Sequence, residues 1–176
     1  MPKQRCSTKE SVLSAAKEIL LSGDVDDFTI RAVARRSGVS IGTVYNCFAS
    51  KDILAASIML GDWVETLAEI RQDCRNSKSV VEAMTTMHGR IMHFSEKYRS
   101  VWSHYRTEGN FAEEYGKRHR QLTEQLAECL EIPIGAFWQQ SPQHVATFIA
   151  ENLLLCTGDS CITLDVLVDI VDRLQK

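Results

Sequence analysis

The fold of this chain is decided by residues 29–51, which read TIRAVARRSGVSIGTVYNCFASK. Two short helical patterns lie on either side of Ser37-Gly38-Val39. So tight a connection between two helices is typical of a helix-turn-helix. The second helix of this motif enters the major groove of DNA, so the stretch makes nucleic acid the leading candidate partner.

Capping residues mark the ends of these helices. Thr29 is a good N-cap for the first helix, and Ser40 is a good N-cap for the second. Gly38 lies where a glycine supplies the left-handed conformation that ends a helix. Ser50 is expected to cap a further, long helix that runs to about Arg75 and leaves this region.

The spacing of apolar residues predicts which side of the second helix faces the protein. Val44 and Phe48 are four residues apart and are expected to face inward. Periodicity also assigns Ile41 to the core. The open side then carries Gly42, Thr43, Asn46 and Cys47.

The rest of the chain has helical periods and no strand-like alternation. Ser7-Thr8-Lys9-Glu10 and Ser79-Val80-Val81-Glu82 each read as a capping box that opens a helix. Ile132-Pro133-Ile134-Gly135 interrupts the pattern, and Ser141-Pro142 places a serine at the cap and a proline at the first position of a helix. The long connecting helix is expected to face inward with Ile53, Ser57, Leu60, Val64, Leu67 and Ala68. We predict an all-α fold of about nine helices.

Composition and charge agree with a folded, helix-rich protein that has one DNA-facing end. Hydrophobic residues make up 44% of the 176 residues, with only three prolines and nine glycines. The net charge is −3, but residues 1–53 carry eight Lys and Arg against six Asp and Glu. A mildly basic head and an acidic remainder suit a head near phosphates and a body away from them.

Targeting and cysteine patterns indicate a cytoplasmic protein. No apolar run approaches the roughly 18 residues that a membrane-spanning helix needs. The polar N-terminus leads into an amphipathic segment and is not a signal peptide. The six cysteines form no CxxC pair, and we expect them to be reduced thiols.

Residues 29–51 resemble the DNA-binding domain of tetracycline-repressor (TetR) family regulators, whose typical core reads T-ϕ-x-x-ϕ-A-x-x-x-G-V-S-x-G-T-ϕ-Y-x-x-F-x-S-K. The matching positions are Thr29, Ile30, Val33, Ala34, Gly38, Val39, Ser40, Gly42, Thr43, Val44, Tyr45, Phe48, Ser50 and Lys51. The resemblance implies three short helices, a long connecting helix and an all-helical body. It divides the chain into a helix-turn-helix DNA-binding domain, residues 1–53, and an effector-binding and dimerisation domain, residues 54–176.

The resemblance and the side-chain chemistry together predict a DNA-binding set. Its members are Thr29, Ser40, Ile41, Gly42, Thr43, Tyr45, Asn46 and Lys51. The hydroxyls of Thr43 and Tyr45 can hydrogen-bond to phosphate oxygens, and Lys51 adds a positive charge in the first turn of its helix. Asn46 can make a paired contact with an adenine edge. Periodicity assigns Ile41 to the core, but the resemblance places it on the side that faces DNA, where we expect it to contact a thymine methyl.

Some assignments in this region have alternatives. Tyr45 could be a packing residue only. Cys47 stands where the family often has Tyr or His, so one aromatic contact to the DNA backbone is expected to be missing. Arg35 and Arg36 read as a solvated face rather than as base readers.

In the TetR family, which the chain resembles, the last two helices pair with those of a second subunit, and a pocket in the body binds a small molecule. The predicted dimer residues are Val145, Phe148, Ile149, Leu153, Leu164, Leu167, Val171 and Leu174. The predicted effector-binding residues are Trp63, Met84, His88, Met92, Trp102 and Tyr105. Flexible methionines suit an apolar or amphipathic effector. For both sets, internal packing is the alternative.

The leading interpretation is a transcriptional repressor that binds a palindromic double-stranded DNA operator as a homodimer and is released by a small-molecule effector. The alternative is a DNA-bound scaffold that recruits a protein partner and senses no small ligand. The sequence has no nucleophile elbow, phosphate loop or metal-binding motif, so we predict no enzyme activity, cofactor or metal site.

Overall fold

A computed structural model describes residues 3–22, 25–101, 111–136, 138, 141–157 and 162–174. Most of these residues are helical and no strand occurs among them, which confirms the all-α prediction. The helices are α1 Lys3–Ser22, a short 3-10 helix Val25–Asp27, α2 Ile30–Ser37, α3 Ile41–Cys47, α4 Lys51–Asn76, α5 Val80–Lys97, α6 Phe111–Gly135, α7 Pro142–Leu155 and α8 Leu164–Leu174. Residues 99–101 are also helical. In the described part of the chain, no helix is long and apolar enough to cross a membrane.

The chain packs as two compact units. The first contains residues 1–64 and 97–106, and the second contains residues 65–96 and 107–176. Helices α4 and α5 therefore each contribute to both units. The boundary predicted after residue 53 is a division by function, which this division by packing does not test.

In the first unit, α1 packs on α2 and α3, and α2 packs on α3. Phe28, in the connection that leads into α2, is 1% exposed. The buried apolar side chains of this unit include Val12, Ala16, Leu20, Val33, Val44, Leu54, Ile58 and Val101. Helix α1 begins at Lys3, so the cap predicted at Ser7 lies inside the helix. The reason is that residues 3–6 include no helix breaker and favour continuation of the helix.

In the second unit, α6 packs along α7 and α7 packs on α8. The predicted interruption at residues 132–135 is wrong, because α6 continues to Gly135 with Pro133 in its last turn. The proline removes one backbone N–H donor in the last turn of the helix, and both Pro133 and Ile134 are buried. A polar contact also joins α6 to α7, because Glu151 accepts a hydrogen bond from Thr123 Oγ1 at 2.8 Å.

Two helix starts in this unit can be compared with their predictions. Ser79 Oγ accepts a hydrogen bond from Glu82 N at 3.1 Å, and the Glu82 carboxylate reaches back to Lys78 N at 2.7 Å. The serine half of the second capping box is therefore confirmed, whereas the glutamate accepts from the residue before the cap and not from the cap residue itself. At α7, Pro142 stands at the start as predicted, but Ser141 has a left-handed backbone, φ 55°, and its side chain makes no capping bond. The backbone carbonyl of Ser141 serves the first turn instead.

The inward face of α4 differs from the predicted one. Ile53, Leu60 and Val64 are 50%, 62% and 58% exposed. The buried face carries Leu54, Ala55, Ile58, Met59, Asp62, Trp63, Leu67, Ile70 and Cys74, so Leu67 alone of the six predicted inward residues is buried. Apolar residues occur on both sides of this helix, so two stripes of similar period compete and the prediction chose the wrong one.

The predicted dimer residues divide between the interior and the surface. Ile149, Leu153, Leu167 and Val171 are at most 1% exposed, because the packing of α7 and α8 within the chain buries them. These four are therefore corrected to core residues. Phe148 and Leu174 remain exposed, and Val145 and Leu164 are half-buried. The structure adds exposed apolar side chains that the prediction missed, namely Leu155, Val166 and Ile170.

Candidate nucleic-acid interface

The turn between α2 and α3 depends on the backbone of Gly38. Its φ is 70° and its ψ is 21°, the left-handed conformation predicted from the sequence. Its N–H and that of Val39 both donate to Ala34 O, which closes the end of α2. A side chain on Gly38 would meet no heavy atom within 4 Å, so the backbone conformation, not the available space, selects glycine here.

Hydroxyl caps hold the starts of α2, α3 and α4, as predicted. Thr29 Oγ1 accepts from Ala32 N, Ser40 Oγ accepts from Thr43 N, and Ser50 Oγ accepts from Ile53 N, each at 3.1 Å. The Ser40 and Thr43 hydroxyls are also 2.8 Å apart and share a hydrogen bond. Each cap satisfies an otherwise unpaired amide and fixes the helix start.

Helix α3 has a buried side and an open side. Val44 and Phe48 are 0% and 4% exposed, and both face inward as the four-residue spacing predicts. Lys9 of α1 lies over the Phe48 ring at 5.3 Å from its centroid, which ties the end of α3 to the core. These contacts therefore fix the orientation of α3 on the head, and with it the direction in which its open side faces.

The eight predicted DNA-binding residues lie on α3 or at the starts of α2 and α4. Thr29, Ser40, Ile41, Gly42, Tyr45 and Asn46 are exposed, and Thr43 and Lys51 are half-buried. Ile41 is 43% exposed, so it lies on the outward side that the resemblance assigned and not in the core that periodicity assigned. Tyr45 is 53% exposed, which is more than a packing residue would be.

The neighbouring arginines are exposed, as a solvated face requires. Arg36 Nε donates to Glu18 Oε2 at 2.7 Å, which joins α2 to α1. The same ion pair borders an open groove of about 450 Å³, lined by Ser11, Ser14, Ala15, Glu18, Arg36 and Ser37. None of the eight predicted DNA-binding residues lines this groove, and no local sequence signal pointed to it.

The predicted effector-binding residues fall in different places. Trp63 is buried in the first unit, whereas Met84, His88 and Met92 follow one side of α5 in the second. Met84 is fully buried and Met92 is 37% exposed. The Nε2 atom of His88 is buried, and within the described ranges nothing hydrogen-bonds to it. Trp102 and Tyr105 lie outside the described residues.

The buried thiols are held in their protonated form. Burial raises the pKa of the Cys74 thiol to about 12, helped by the nearby Cys129 and Asp73. Burial also raises the pKa of the thiols of Cys129 and Cys156. Since the thiolate is the reactive form, these cysteines are poor nucleophiles at neutral pH.

Residues 12–58 match the sequence profile of the bacterial regulatory proteins of the tetR family. The HTH-type transcriptional regulator UidR of Escherichia coli K12 is 32% identical over 65 residues, which are 37% of this chain and 33% of UidR. The uncharacterised HTH-type transcriptional regulator YvdT of Bacillus subtilis is 32% identical over 71 residues, 40% of this chain and 37% of YvdT. The matches thus span about a third of each curated relative's length.

Solved structures extend the similarity of fold along the chain. The TetR family repressor AlkX from a Dietzia species has a TM-score of 0.60 at 19% identity, covering 95% of this chain and 92% of AlkX. A putative transcriptional regulator from Pseudomonas aeruginosa PAO1 has a TM-score of 0.52 at 14% identity, covering 99% and 92%. The profile match, together with the observed turn, caps and outward face of α3, shows that residues 12–58 form a DNA-binding domain of the tetR-family type, and the solved structures share the fold of the chain.

Proposed function

We propose that the protein is a DNA-binding transcriptional regulator, and not an enzyme, that works in the cytoplasm as a repressor. The observation that carries the proposal is α3, whose inner side is fixed by Val44 and Phe48 while its outer side is open. Short side chains and Gly42 on that outer side let the helix backbone approach a groove closely. Such a helix is suited to the major groove of a DNA operator.

In this proposal the DNA-binding residues divide into anchors and readers. The hydroxyls of Thr43 and Tyr45 and the ammonium of Lys51 contact phosphates and position the head. Asn46 reads an adenine edge, which is worth about 1–3 kcal/mol of discrimination. Ile41 packs on a thymine methyl. Specificity therefore depends on few polar contacts.

Lys51 and Tyr45 provide a matched test of the anchors. Lys51→Ala should weaken binding to every duplex and lower the slope of log K against log salt by about two, since each phosphate contact contributes about 0.9 and a dimer has two such lysines. Tyr45→Phe should weaken binding with no change of slope, because it removes no charge. The measurement is a duplex titration at several salt concentrations.

The control for this test is Lys78→Ala, which removes the same charge from an exposed position in the second unit. It should leave affinity and slope within about twofold of the wild type, because a charge away from the phosphates releases no counterion. Equal slopes for wild type and Lys51→Ala would contradict the assigned role of Lys51.

We further propose that the regulator is a homodimer. A single short recognition helix contacts few bases, and a twofold pair reads a palindrome with half-sites one helical turn apart. The proposal is supported by exposed apolar residues that recur on one side of α8, namely Val166, Ile170 and Leu174. The neighbouring α7 adds Phe148 and Leu155, which are seven residues apart and so share a helix face.

The effector is proposed to bind in the body near His88, between buried methionines such as Met84 and Met87. An unpaired buried polar atom is unfavourable by about 1–3 kcal/mol, and a ligand group that hydrogen-bonds to Nε2 would remove that cost. This favours an amphipathic effector with one hydrogen-bonding group over a pure hydrocarbon. Binding of the effector and of the operator would oppose each other reciprocally.

His88→Leu separates a ligand-binding histidine from a structural one. The variant should be more stable than the wild type by about 1 kcal/mol in urea denaturation, because it replaces an unpaired buried nitrogen with an apolar group. It should also stop responding to any compound that releases the wild type from DNA. Leu130→Met, a volume-conserving change of a buried residue of α6 that is not part of the proposed effector site, is the control and should cost less than about 1.5 kcal/mol while keeping the response. Strong destabilisation by His88→Leu would show a structural role.

A further inference from the structure

Asp62 is a buried carboxylate on α4 that three side chains from other parts of the chain surround. Lys97 Nζ and Tyr98 Oη each donate to Asp62 Oδ2 at 2.6 Å. Lys17 of α1 forms an ion pair with Asp62 Oδ1. Asp62 is 5% exposed and Tyr98 is fully buried. All four residues belong to the first compact unit.

The surroundings of Asp62 differ from those of an ordinary surface ion pair, because its carboxylate is buried and fully paired. A buried carboxylate is costly unless it is paired and hydrogen-bonded. Burial alone would raise the pKa of the Asp62 carboxyl, but hydrogen bonds from Lys17, Lys97 and Tyr98 outweigh burial and hold the pKa below its ordinary value. The side chains of Lys17 and Lys97 are 38% and 33% exposed, so each lysine reaches Asp62 from the surface with its apolar methylene groups against the protein.

The Asp62 cluster joins residues of three different helices. Lys17 lies on α1, the helix on which α2 and α3 pack. Lys97 ends α5, whose other residues belong to the second compact unit. Asp62 lies two residues before the point where α4 leaves the first unit. Within the first unit, one carboxylate thus joins α1 and the last residue of α5 to the same turn of α4.

We propose that Asp62 is a positioning residue for DNA binding, which holds α1, and through it the recognition helix, in the operator-binding position. The inference rests on the proposed function. Asp62 touches no DNA in this account, and it acts through Lys17 and the packing of α1. A displacement of the end of α5 would loosen Lys97 and Tyr98 from Asp62, and the head would lose its fixed position on α4.

The test is operator affinity of the full chain, measured against salt and well below the melting temperature. Asp62→Asn should weaken operator binding about tenfold, within the usual range of coupling between sites. Electrostatics alone predicts the opposite sign, because the variant makes the head more positive. The slope of log K against log salt should not fall, since no phosphate contact is lost. Tyr98→Phe should weaken binding in the same direction, by about threefold, with no change of charge.

Two variants control the test. Asp73→Asn removes an equal charge further along α4, where the carboxylate pairs with Arg90 at 3.0 Å in the second unit. It should not weaken operator binding. Lys17→Arg keeps the positive charge beside Asp62 and should leave affinity within about twofold of the wild type, since either cation forms a charge-assisted hydrogen bond to a carboxylate.

The outcomes separate the inference from the function on which it rests. Folded Asp62→Asn or Tyr98→Phe that binds the operator like the wild type, even with a lower melting temperature, overturns the positioning role. If Asp62→Asn does not fold, Tyr98→Phe decides by the same criterion. A wild-type chain that binds no duplex overturns the proposed function, and the inference with it, before any variant is compared.

Discussion

Gly38→Val should destabilise the head by about 1–3 kcal/mol and remove most specific DNA binding. Gly38 has φ 70°, a conformation that a β-branched residue adopts only with strain of this size. Relief of that strain requires the turn to change, and the turn sets the direction of α3 relative to α2. The measurements are urea denaturation of the full chain and operator affinity of the folded protein.

Gly61 is the matched control for this prediction. It lies on the exposed side of α4, and like Gly38 it has no heavy atom within 4 Å of an added side chain. Its backbone is helical, so Gly61→Ala should stabilise the chain by about 0.5–1 kcal/mol. Gly38→Ala should destabilise it. Because both glycines have room for a side chain, opposite effects of Gly38→Ala and Gly61→Ala on stability would identify the backbone conformation as the cause. Stabilisation by both substitutions would contradict this explanation.

Ile170→Glu should convert the proposed dimer into a monomer. A carboxylate buried without a partner costs about 3–5 kcal/mol, and twofold symmetry buries it twice, so the dimer dissociation constant should rise at least about 1,000-fold. Ile170 is 40% exposed in the single chain, so the monomer should keep its fold. Sedimentation equilibrium measures the association, and circular dichroism checks the fold.

Leu60→Glu serves as the control for the dimer prediction. Leu60 is an apolar residue of α4, 62% exposed and outside the α7 and α8 faces. The change should leave the molecular mass in solution unaltered. Operator binding should fall with dimerisation in Ile170→Glu, because a monomer reads one half-site. A wild-type chain that is monomeric at micromolar concentration would contradict the proposal.

The head could be predicted from the sequence because its signals are local. Thr29, Ser40 and Ser50 each hydrogen-bond to an amide three residues ahead, and Gly38 fixes a turn within its own backbone. Such contacts involve few residues and leave a recognisable pattern in the chain. The family resemblance then corrected the position of Ile41, which periodicity had assigned to the core and which is exposed.

Features that depend on tertiary packing were not predictable in the same way. Helix α4 has apolar residues on both sides, so the sequence could not show that Ile58 and not Leu60 faces inward. The apolar residues of α7 and α8 were equally compatible with a dimer interface and with an internal core, and the structure buries Ile149 and Leu167 in the core. Nothing local marked the Asp62 cluster, because its partners lie 35 to 45 residues away along the chain.

The most direct test of DNA binding is selection from a random duplex pool by the intact wild-type chain, followed by a salt titration of the selected sequence. The account predicts a palindrome with half-site centres about 10–10.5 base pairs, or a multiple of one helical turn, apart. It also predicts that log K falls linearly with log salt. A pool with no enriched sequence and no salt-sensitive duplex binding would contradict the account.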